Sequence, residues 1–138
     1  MLSTPDQALL LLEQTPDLLG TANTEGYFTW LNAQWTATLG WSREELCAQP
    51  YVEFVHPDDV ARTYGEAGGL FGEGAGSVLF SNRYATKDGS YRWLEWNARV
   101  APNGSILFVA RDITERLARE ADGRRTVEQL KLAEEVAK

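Results

Sequence analysis

The segment 80–115, FSNRYATKDGSYRWLEWNARVAPNGSILFVARDITE, decides the fold of this chain. Lys87-Asp88-Gly89-Ser90 and Pro102-Asn103-Gly104-Ser105 separate its apolar runs, and such turn sequences between apolar runs are typical of tight hairpins. The last run passes directly into Asp112-Ile113-Thr114-Glu115, where an Asp followed three residues later by Glu predicts a helix capping box. The segment therefore predicts three consecutive strands and, immediately after them, a helix.

Before this segment, the sequence predicts two more strands and several helices. Thr4-Pro5 is typical of a helix start and Thr15-Pro16 of a helix end. Asn32 and Ser42 are each predicted to cap a short helix, and Pro57-Asp58-Asp59 to begin another whose dipole favours both carboxylates. The predicted strands cover 18–22 and 27–31, and the glycine-rich stretch 65–76 is predicted to be a mobile loop or a frayed helix end.

Five strands with helices inserted after the second indicate an α+β fold. We predict a five-stranded antiparallel sheet with short helices on one face and a flanking helix at each end. After Glu115 the composition changes to Arg, Glu, Ala and Leu, which indicates a separate helical region. The predicted divisions are an amino-terminal helix over 1–15, a domain over 16–115 and a carboxy-terminal helix over 116–138.

Charge and cysteine content argue against several classes of partner. The formal net charge is −7 and the pI is near 4.7, whereas nucleic-acid phosphates and anionic lipids require a basic surface. The single cysteine, Cys47, has no disulfide partner in the chain, and no Cys/His set has zinc spacing. No apolar segment is long enough to span a membrane, and the sequence does not contain the pattern of a secretory signal. We therefore expect a cytoplasmic protein that binds neither nucleic acid nor membrane.

A series of short stretches, in order and at matching spacing, resembles the PAS domain, a sensory module of signalling proteins. The matching stretches are Glu25-Gly26, Asn32, 39–46 (LGWSREEL), 55–59 (VHPDD), Arg83, 87–89 (KDG), Arg92-Trp93, Asn103-Gly104 and 111–116 (RDITER). The resemblance implies the PAS fold, whose sheet and helices enclose a pocket that holds haem, flavin, a small metabolite or nothing. It also implies an output domain, such as a histidine kinase or diguanylate cyclase, that is absent from this fragment.

Alternation along the strands divides their side chains between two faces, because residues two apart share a side. In the PAS pattern one of these faces lines the pocket. The predicted pocket residues are Trp35, Phe54, Phe80, Asn82, Tyr84, Leu94, Trp96 and Phe108. The opposite face is also apolar, so we expect a helix to cover it, either 4–14 of the same chain or one from a partner. Its residues are Leu79, Tyr91, Trp93, Leu107 and Val109.

The flavin-binding photoreceptors of the family need a reactive cysteine, and this chain lacks one at the matching place. Tyr51 stands there, and Cys47 lies one turn too early. The strand positions that carry flavin-binding amides in that branch are Tyr84, Leu94 and Ala110 here. The resemblance therefore argues against FMN photoreceptor chemistry.

Haem-binding members of the family ligate iron with a histidine, and His56 is the single candidate. Its place before Pro57-Asp58-Asp59 favours a helix-capping role instead. Trp30, Trp35 and Trp96 suit either a planar ligand or a packed core. Asn82 and Arg92 are the polar candidates for a ligand contact, the alternatives being a backbone bond for Asn82 and solvent for Arg92. We predict no bound cofactor, with an unknown small ligand, FAD or an unusual haem ligand left open.

No catalytic or metal site is predicted. Glu53, Asp58 and Asp59 lie near His56, but no second histidine supports them as a metal or acid–base site. Ser42 and Ser81 have no candidate base nearby in the sequence. We therefore predict that the chain is not an enzyme.

The carboxy-terminal helix is predicted to carry a signal out of the domain. Asp112, Thr114 and Glu115 are the predicted coupling residues at its base. Gly123 weakens the helix by about 1 kcal/mol relative to Ala. An isolated charged helix of this length is marginal, so a homodimer through the flanking helices is preferred over a solvated linker. The predicted dimer contacts are Leu9, Leu12, Leu117 and Leu130.

Three functions remain open from the sequence. The preferred one is a PAS sensor domain in which a ligand or partner shifts the sheet and exit helix between two arrangements. The second is a structural dimerisation module with a filled core. The third is a redox or gas sensor that holds FAD or haem.

Overall fold

The computed structural model describes residues 4–68 and 76–137, which form five strands and five α-helices with two 3-10 turns. The helices are α1 Thr4–Gln14, α2 Gln34–Leu39, α3 Arg43–Cys47, α4 Val60–Gly68 and α5 Thr114–Ala137, and the 3-10 turns are Tyr51–Phe54 and Pro57–Asp59. The strands are β1 Leu18–Ala22, β2 Phe28–Leu31, β3 Ser77–Ala85, β4 Tyr91–Val100 and β5 Ile106–Asp112. The predicted α+β fold is confirmed.

All strand pairs are antiparallel, and the sheet order is β2-β1-β5-β4-β3. The first hairpin therefore lies beside the last strand, and β5 lies at the centre between β1 and β4. Gly89 and Gly104 have φ angles of 93° and 88° in the two predicted hairpin turns, a conformation that side chains other than glycine rarely adopt. The three-strand segment that suggested the fold thus forms one continuous meander.

The two faces of the sheet divide as the alternation predicted. The inner face is covered by the short helices, and most of its side chains are buried, including Tyr84, Leu94, Trp96 and Phe108. On the outer face Leu79, Leu107 and Val109 are solvent-exposed, at 66%, 38% and 41%, and Trp93 is half-buried.

Helix α1 does not cover the outer face, so the first of the two predicted alternatives, a cover from 4–14 of the same chain, is wrong. None of its described side chains is buried, and Leu12 alone among them joins the wall of a groove on that face. The end of α1 is held elsewhere, because Glu13 accepts hydrogen bonds from Arg43 at 3.2 Å and from the Ala33 amide at 2.8 Å. The helix is thus anchored beside α2 and α3.

Asn32 does not cap α2, although the sequence predicted that role. The N-cap residue is Ala33, and the buried Asn32 amide joins three backbone segments instead. It donates to the carbonyls of Leu12 at 2.7 Å and Asp17 at 3.1 Å, and it accepts from the amide of Leu19 at 3.1 Å. Asn32 therefore fixes the chain between α1 and β1.

Two further helix predictions have clear outcomes. Ser42 and Glu45 form the predicted reciprocal capping box of α3. Helix α5 continues through Gly123 without a break.

The glycine-rich stretch 65–76 is described only in part. Helix α4 includes it up to Gly68, and the predicted mobile loop falls on 69–75, outside the described residues. None of the helices in the described part of the chain combines the length and hydropathy needed to cross a bilayer.

Candidate functional site

A cavity of about 60 Å³ lies between the inner face of the sheet and the helices that cover it. Its wall is mostly apolar. Each of the five strands contributes to it, and so does the segment between α3 and β3. The lining residues are Ala22, Phe28, Tyr51, Val55, Thr63, Phe80, Asn82, Tyr84, Trp96, Ile106 and Phe108. None of these side chains carries a charge.

Five of the eight predicted pocket residues line this cavity, namely Phe80, Asn82, Tyr84, Trp96 and Phe108. The other three, Trp35, Phe54 and Leu94, lie in the packed core at 0–5% exposure and not at the cavity wall. Alternation along β5 placed Ile106 on the inner face. Tyr51 lies in a 3-10 turn, Val55 forms an isolated bridge with Tyr84, and Thr63 lies in α4. Alternation along strands does not identify wall residues in these segments.

Trp35 is the centre of an aromatic cluster. Its ring centroid lies 5.1–6.1 Å from those of Phe28, Tyr84, Trp96 and Phe108. Its indole nitrogen donates to the carbonyl of Leu19 at 3.1 Å. These contacts hold the Trp35 ring in place and account for it as core, while Trp30 lies on the outer face.

Asn82 is the polar centre of the cavity wall. Its Oδ1 accepts from the indole nitrogen of Trp96 at 2.7 Å, and its Nδ2 donates to Oγ1 of Thr63 at 3.3 Å. The Thr63 hydroxyl in turn donates to the carbonyl of Asp59 at 2.7 Å. The predicted alternative, an Asn82 bond to backbone, is therefore wrong. Both hydrogen-bond partners of the amide are side chains that also line the cavity.

Tyr51 and Tyr84 close another side of the cavity. The Tyr84 hydroxyl donates to the Tyr51 carbonyl at 3.0 Å, and burial raises the pKa of Tyr84 well above its ordinary value. Cys47 packs against the core and does not line the cavity. Burial also raises the pKa of the Cys47 thiol, which disfavours the reactive thiolate.

The cavity does not fit a flavin or a haem in this packing. Sites for ligands of that size have volumes of roughly 300–1,000 Å³, and an engineered cavity of about 150 Å³ holds a benzene. The observed 60 Å³ is well below both. The strand positions that would supply flavin-binding amides are occupied by Tyr84, Leu94 and Ala110, all of them buried.

His56 has the capping contact that the sequence favoured. Its Nδ1 accepts from the Asp58 amide at 3.1 Å, and its ring lies 4.6 Å from that of Tyr91. It is not part of the cavity wall. Within residues 4–68 and 76–137, no three His, Cys, Asp or Glu side chains come together as a metal site would require.

Asp59 lies in the first turn of the Pro57–Asp59 helix, as the sequence predicted, and it also forms an ion pair that the sequence did not predict. Its carboxylate is 5% exposed and pairs with Arg83, with Oδ1 to Nη2 at 2.8 Å and Oδ2 to Nε at 3.0 Å. Oδ2 also accepts from the Arg83 backbone amide at 2.8 Å, and Arg62 lies 3.4 Å away. The Arg83 hydrogen bonds hold the pKa of Asp59 well below its ordinary range.

The junction of β5 and α5 contains the three predicted coupling residues. Oδ1 of Asp112 accepts from the Thr114 amide at 2.9 Å and from its hydroxyl at 2.6 Å. The Thr114 Oγ1 accepts from the Trp93 amide at 2.9 Å, and the Ile113 amide donates to the Trp93 carbonyl at 2.9 Å. Helix α5 is therefore bonded to β4 as well as continuous with β5.

Glu115 does not complete the predicted capping box. Its carboxylate accepts from Arg92 at 2.8 Å, and this bond lowers the pKa of Glu115. Arg92 also lies 3.6 Å from Asp112, so its guanidinium bridges the end of β5 and the first turn of α5. Arg92 thus belongs to the junction and not to the cavity wall. The sequence predicted either a ligand contact or a solvent-facing side chain for Arg92, and neither prediction is correct.

Comparison with solved structures shows the same fold in bacterial PAS domains. A PAS domain from Colwellia psychrerythraea aligns with a TM-score of 0.71 at 22% identity, over 82% of this chain and 99% of that chain. A sensory box histidine kinase/response regulator from Burkholderia thailandensis aligns with a TM-score of 0.68 at 22% identity, over 91% and 98% of the two chains. The N-terminal domain of a diguanylate cyclase with a PAS/PAC sensor from Marinobacter aquaeolei aligns with a TM-score of 0.62 at 19% identity, over 72% and 97%.

A family model described as the PAS fold matches residues 28–110, which is more than half of the chain. No curated protein matches the chain. The matched range runs from β2 to β5 and includes most of the cavity wall. On the fold and on this match, the chain belongs to the PAS family.

Proposed function

We propose that this chain is a non-catalytic sensory domain of a larger signalling protein. A change at the cavity would pass through β4 and β5 to α5, and from there to an attached output domain of the histidine kinase or diguanylate cyclase class. The solved structures that share its fold support this proposal, since one is named as a histidine kinase/response regulator and another as a domain of a diguanylate cyclase. A cytoplasmic location fits the same proposal.

The observation that carries the proposal is the direct bonding between the cavity strands and the exit helix. Trp96 of β4 and Phe108 of β5 line the cavity, with ring centroids 5.4 Å apart. Near the start of β4, Trp93 bonds Thr114 at the start of α5, and Asp112 at the end of β5 bonds the same residue. A shift of either strand therefore moves atoms that hold the first turn of the helix.

Replacing Asp112 by Ala is expected to uncouple the domain from its output. The variant should stay folded, because losing this cap costs about 1 kcal/mol. In a fusion of the chain to a histidine kinase output domain, the cavity-wall substitution Ile106→Val serves as the input and kinase activity as the readout. We expect Ile106→Val to change the kinase activity when Asp112 is present. After Asp112→Ala, the change caused by Ile106→Val should be at least about fivefold smaller.

Glu128→Ala is the matched control, because it removes a carboxylate from the exposed surface of α5, away from the junction. It should leave the effect of Ile106→Val unchanged. An Ile106→Val effect that survives Asp112→Ala in full would remove the proposed route, provided circular dichroism shows both variants folded.

Exposed leucines support dimerisation as a second function. Leu9 and Leu12 of α1 and Leu130 of α5 are exposed, at 48%, 39% and 62%, and Leu117 is half-buried. The outer face of the sheet is also apolar and uncovered. We propose a homodimer in which the flanking helices of one copy pack against the other copy.

Introducing a charge into α1 is expected to weaken this dimer. Leu9→Glu places a carboxylate in the proposed interface, so the dimer dissociation constant should rise by about tenfold or more. Sedimentation equilibrium measures the constant. Ala37→Glu adds the same charge at an exposed position of α2 and should leave the constant unchanged. A wild-type chain that sediments as a monomer at high concentration would contradict the dimer.

A further inference from the structure

We propose that the cavity binds a small, neutral, largely apolar molecule with one hydrogen-bond acceptor, and that this acceptor takes the second N–H of the Asn82 amide. This inference rests on the proposed sensory function and deepens it, because it names the chemical class of the signal. Ketones, aldehydes and alcohols of a few carbon atoms belong to that class.

The orientation of the Asn82 amide is fixed by its neighbours. The indole of Trp96 is a donor without acceptor capacity, so the group facing it at 2.7 Å must be the amide oxygen. The amide nitrogen consequently faces Thr63. It carries two hydrogens, and among the described residues Thr63 Oγ1 is the one acceptor that it meets.

The second N–H is therefore a donor at the wall of a mostly apolar site. Asn82 is 1% exposed and lines the cavity, so bulk water does not reach this hydrogen freely. A buried donor without a partner is unfavourable, and a ligand acceptor beside it relieves that cost. Asn82 thus gives the site a preference for a ligand with one acceptor over a hydrocarbon of the same size.

The rest of the wall selects for apolar and uncharged molecules. Nine of the eleven lining residues are aliphatic or aromatic, and Thr63 and Asn82 are the two others. Among residues 4–68 and 76–137, no cationic side chain lines the cavity to neutralise an anion, and no carboxylate lines it to neutralise a cation. An ion would lose its hydration without compensation, so the site rejects carboxylate metabolites and amines.

The volume limits the ligand to a few heavy atoms. An engineered apolar cavity of about 150 Å³ holds benzene, which has six heavy atoms, so the cavity of about 60 Å³ suits a smaller molecule. Acetone has four heavy atoms and one acceptor. Acetate has the same heavy-atom count and shape and carries a charge, which makes the two a matched pair of probes.

Titration of the ¹⁵N-labelled chain with acetone, and separately with acetate, tests the inference. The reporters are the side-chain amide of Asn82, which would donate to the ligand, and the indole N–H of Trp96, which donates to the oxygen of the same amide. We expect acetone to shift both resonances saturably and to bind at least about tenfold more tightly than acetate. Dissolved xenon, which has no acceptor, is expected to enter the cavity with a smaller shift of the Asn82 amide.

Cavity-filling variants show whether binding occurs at this site. Ala22→Val and Val55→Ile each add bulk at a different part of the wall, and at least one of them is expected to fold and to weaken acetone binding by about tenfold. Val109→Ile adds the same bulk on the exposed outer face and should leave binding unchanged.

Three results would overturn the inference. Acetate binding as tightly as acetone would remove the selection against charge. Xenon binding without acetone binding would remove the role of Asn82. Binding of neither probe would remove the cavity as a ligand site. All three are separate from the Asp112→Ala fusion test, since strand-to-helix coupling can hold with any ligand, and acetone binding is measured on the chain without an output domain.

Discussion

Trp35→Ala is expected to destabilise the fold by about 3–5 kcal/mol, because Trp35 is a core residue and not a ligand-stacking residue. The ring is fully buried and contacts the rings of Phe28, Tyr84, Trp96 and Phe108. Truncation removes these contacts and leaves a void beside the cavity, which the surrounding rings fill incompletely. It also leaves the Leu19 carbonyl without the indole donor. Urea unfolding at pH 7 measures the loss of free energy.

Trp30→Ala is the matched control, because it deletes the same side chain from the opposite face of the sheet. Trp30 is partly exposed in β2 and lines the outer groove, so its loss should cost about 1 kcal/mol or less. If Trp35→Ala cost no more than Trp30→Ala, the packed role of Trp35 would be wrong. If Trp35 served to stack on a bound ligand, its truncation in the ligand-free chain would cost no more than that of Trp30.

The features predicted well from the sequence are those set by neighbours in the chain. The turns at Gly89 and Gly104 follow from their local conformational demands, and the register of the meander follows from the turns. Alternation then assigned the inner and outer faces, because one buried face fixes every second residue. The Ser42 cap is equally local, with its partner Glu45 three residues away.

The features that the sequence misassigned depend on partners distant in the chain. Asn32 looked like a local cap, but its acceptor Leu12 lies 20 residues earlier. Similarly, Asp59 lies in the first helical turn as predicted, but its ion pair with Arg83, 24 residues later, was missed. Alternation also placed Leu94 at the pocket, whereas close packing removed it from the cavity wall. Which buried residues border a void depends on packing differences smaller than a side chain, and hydropathy does not encode them.

Asp59→Asn is expected to destabilise the fold by about 2–3 kcal/mol at pH 7, because the ion pair joins the Pro57–Asp59 turn to β3. The amide keeps the size of the carboxylate but not its charge, and one of its two terminal atoms is a donor that faces Arg83. The guanidinium of Arg83 is 30% exposed and recruits water, which keeps the loss below that of a fully buried pair. Asp58→Asn changes a carboxylate that is 80% exposed and should cost about 0.5 kcal/mol or less.

The Asp59–Arg83 ion pair also predicts how the stability difference between the wild type and Asp59→Asn depends on pH. Because the pKa of Asp59 is lower in the folded chain than in the unfolded chain, its contribution is fully present above the unfolded value of about 4. As the pH falls below 4 toward the folded pKa, the wild type loses up to about 1.4 kcal/mol per pH unit that Asp59→Asn does not lose. The two unfolding free energies should therefore differ by a constant amount from pH 7 to pH 5 and converge below pH 4. A difference that stays constant down to pH 2.5 would mean that size or packing at position 59, and not the charge on its carboxylate, holds the turn against β3.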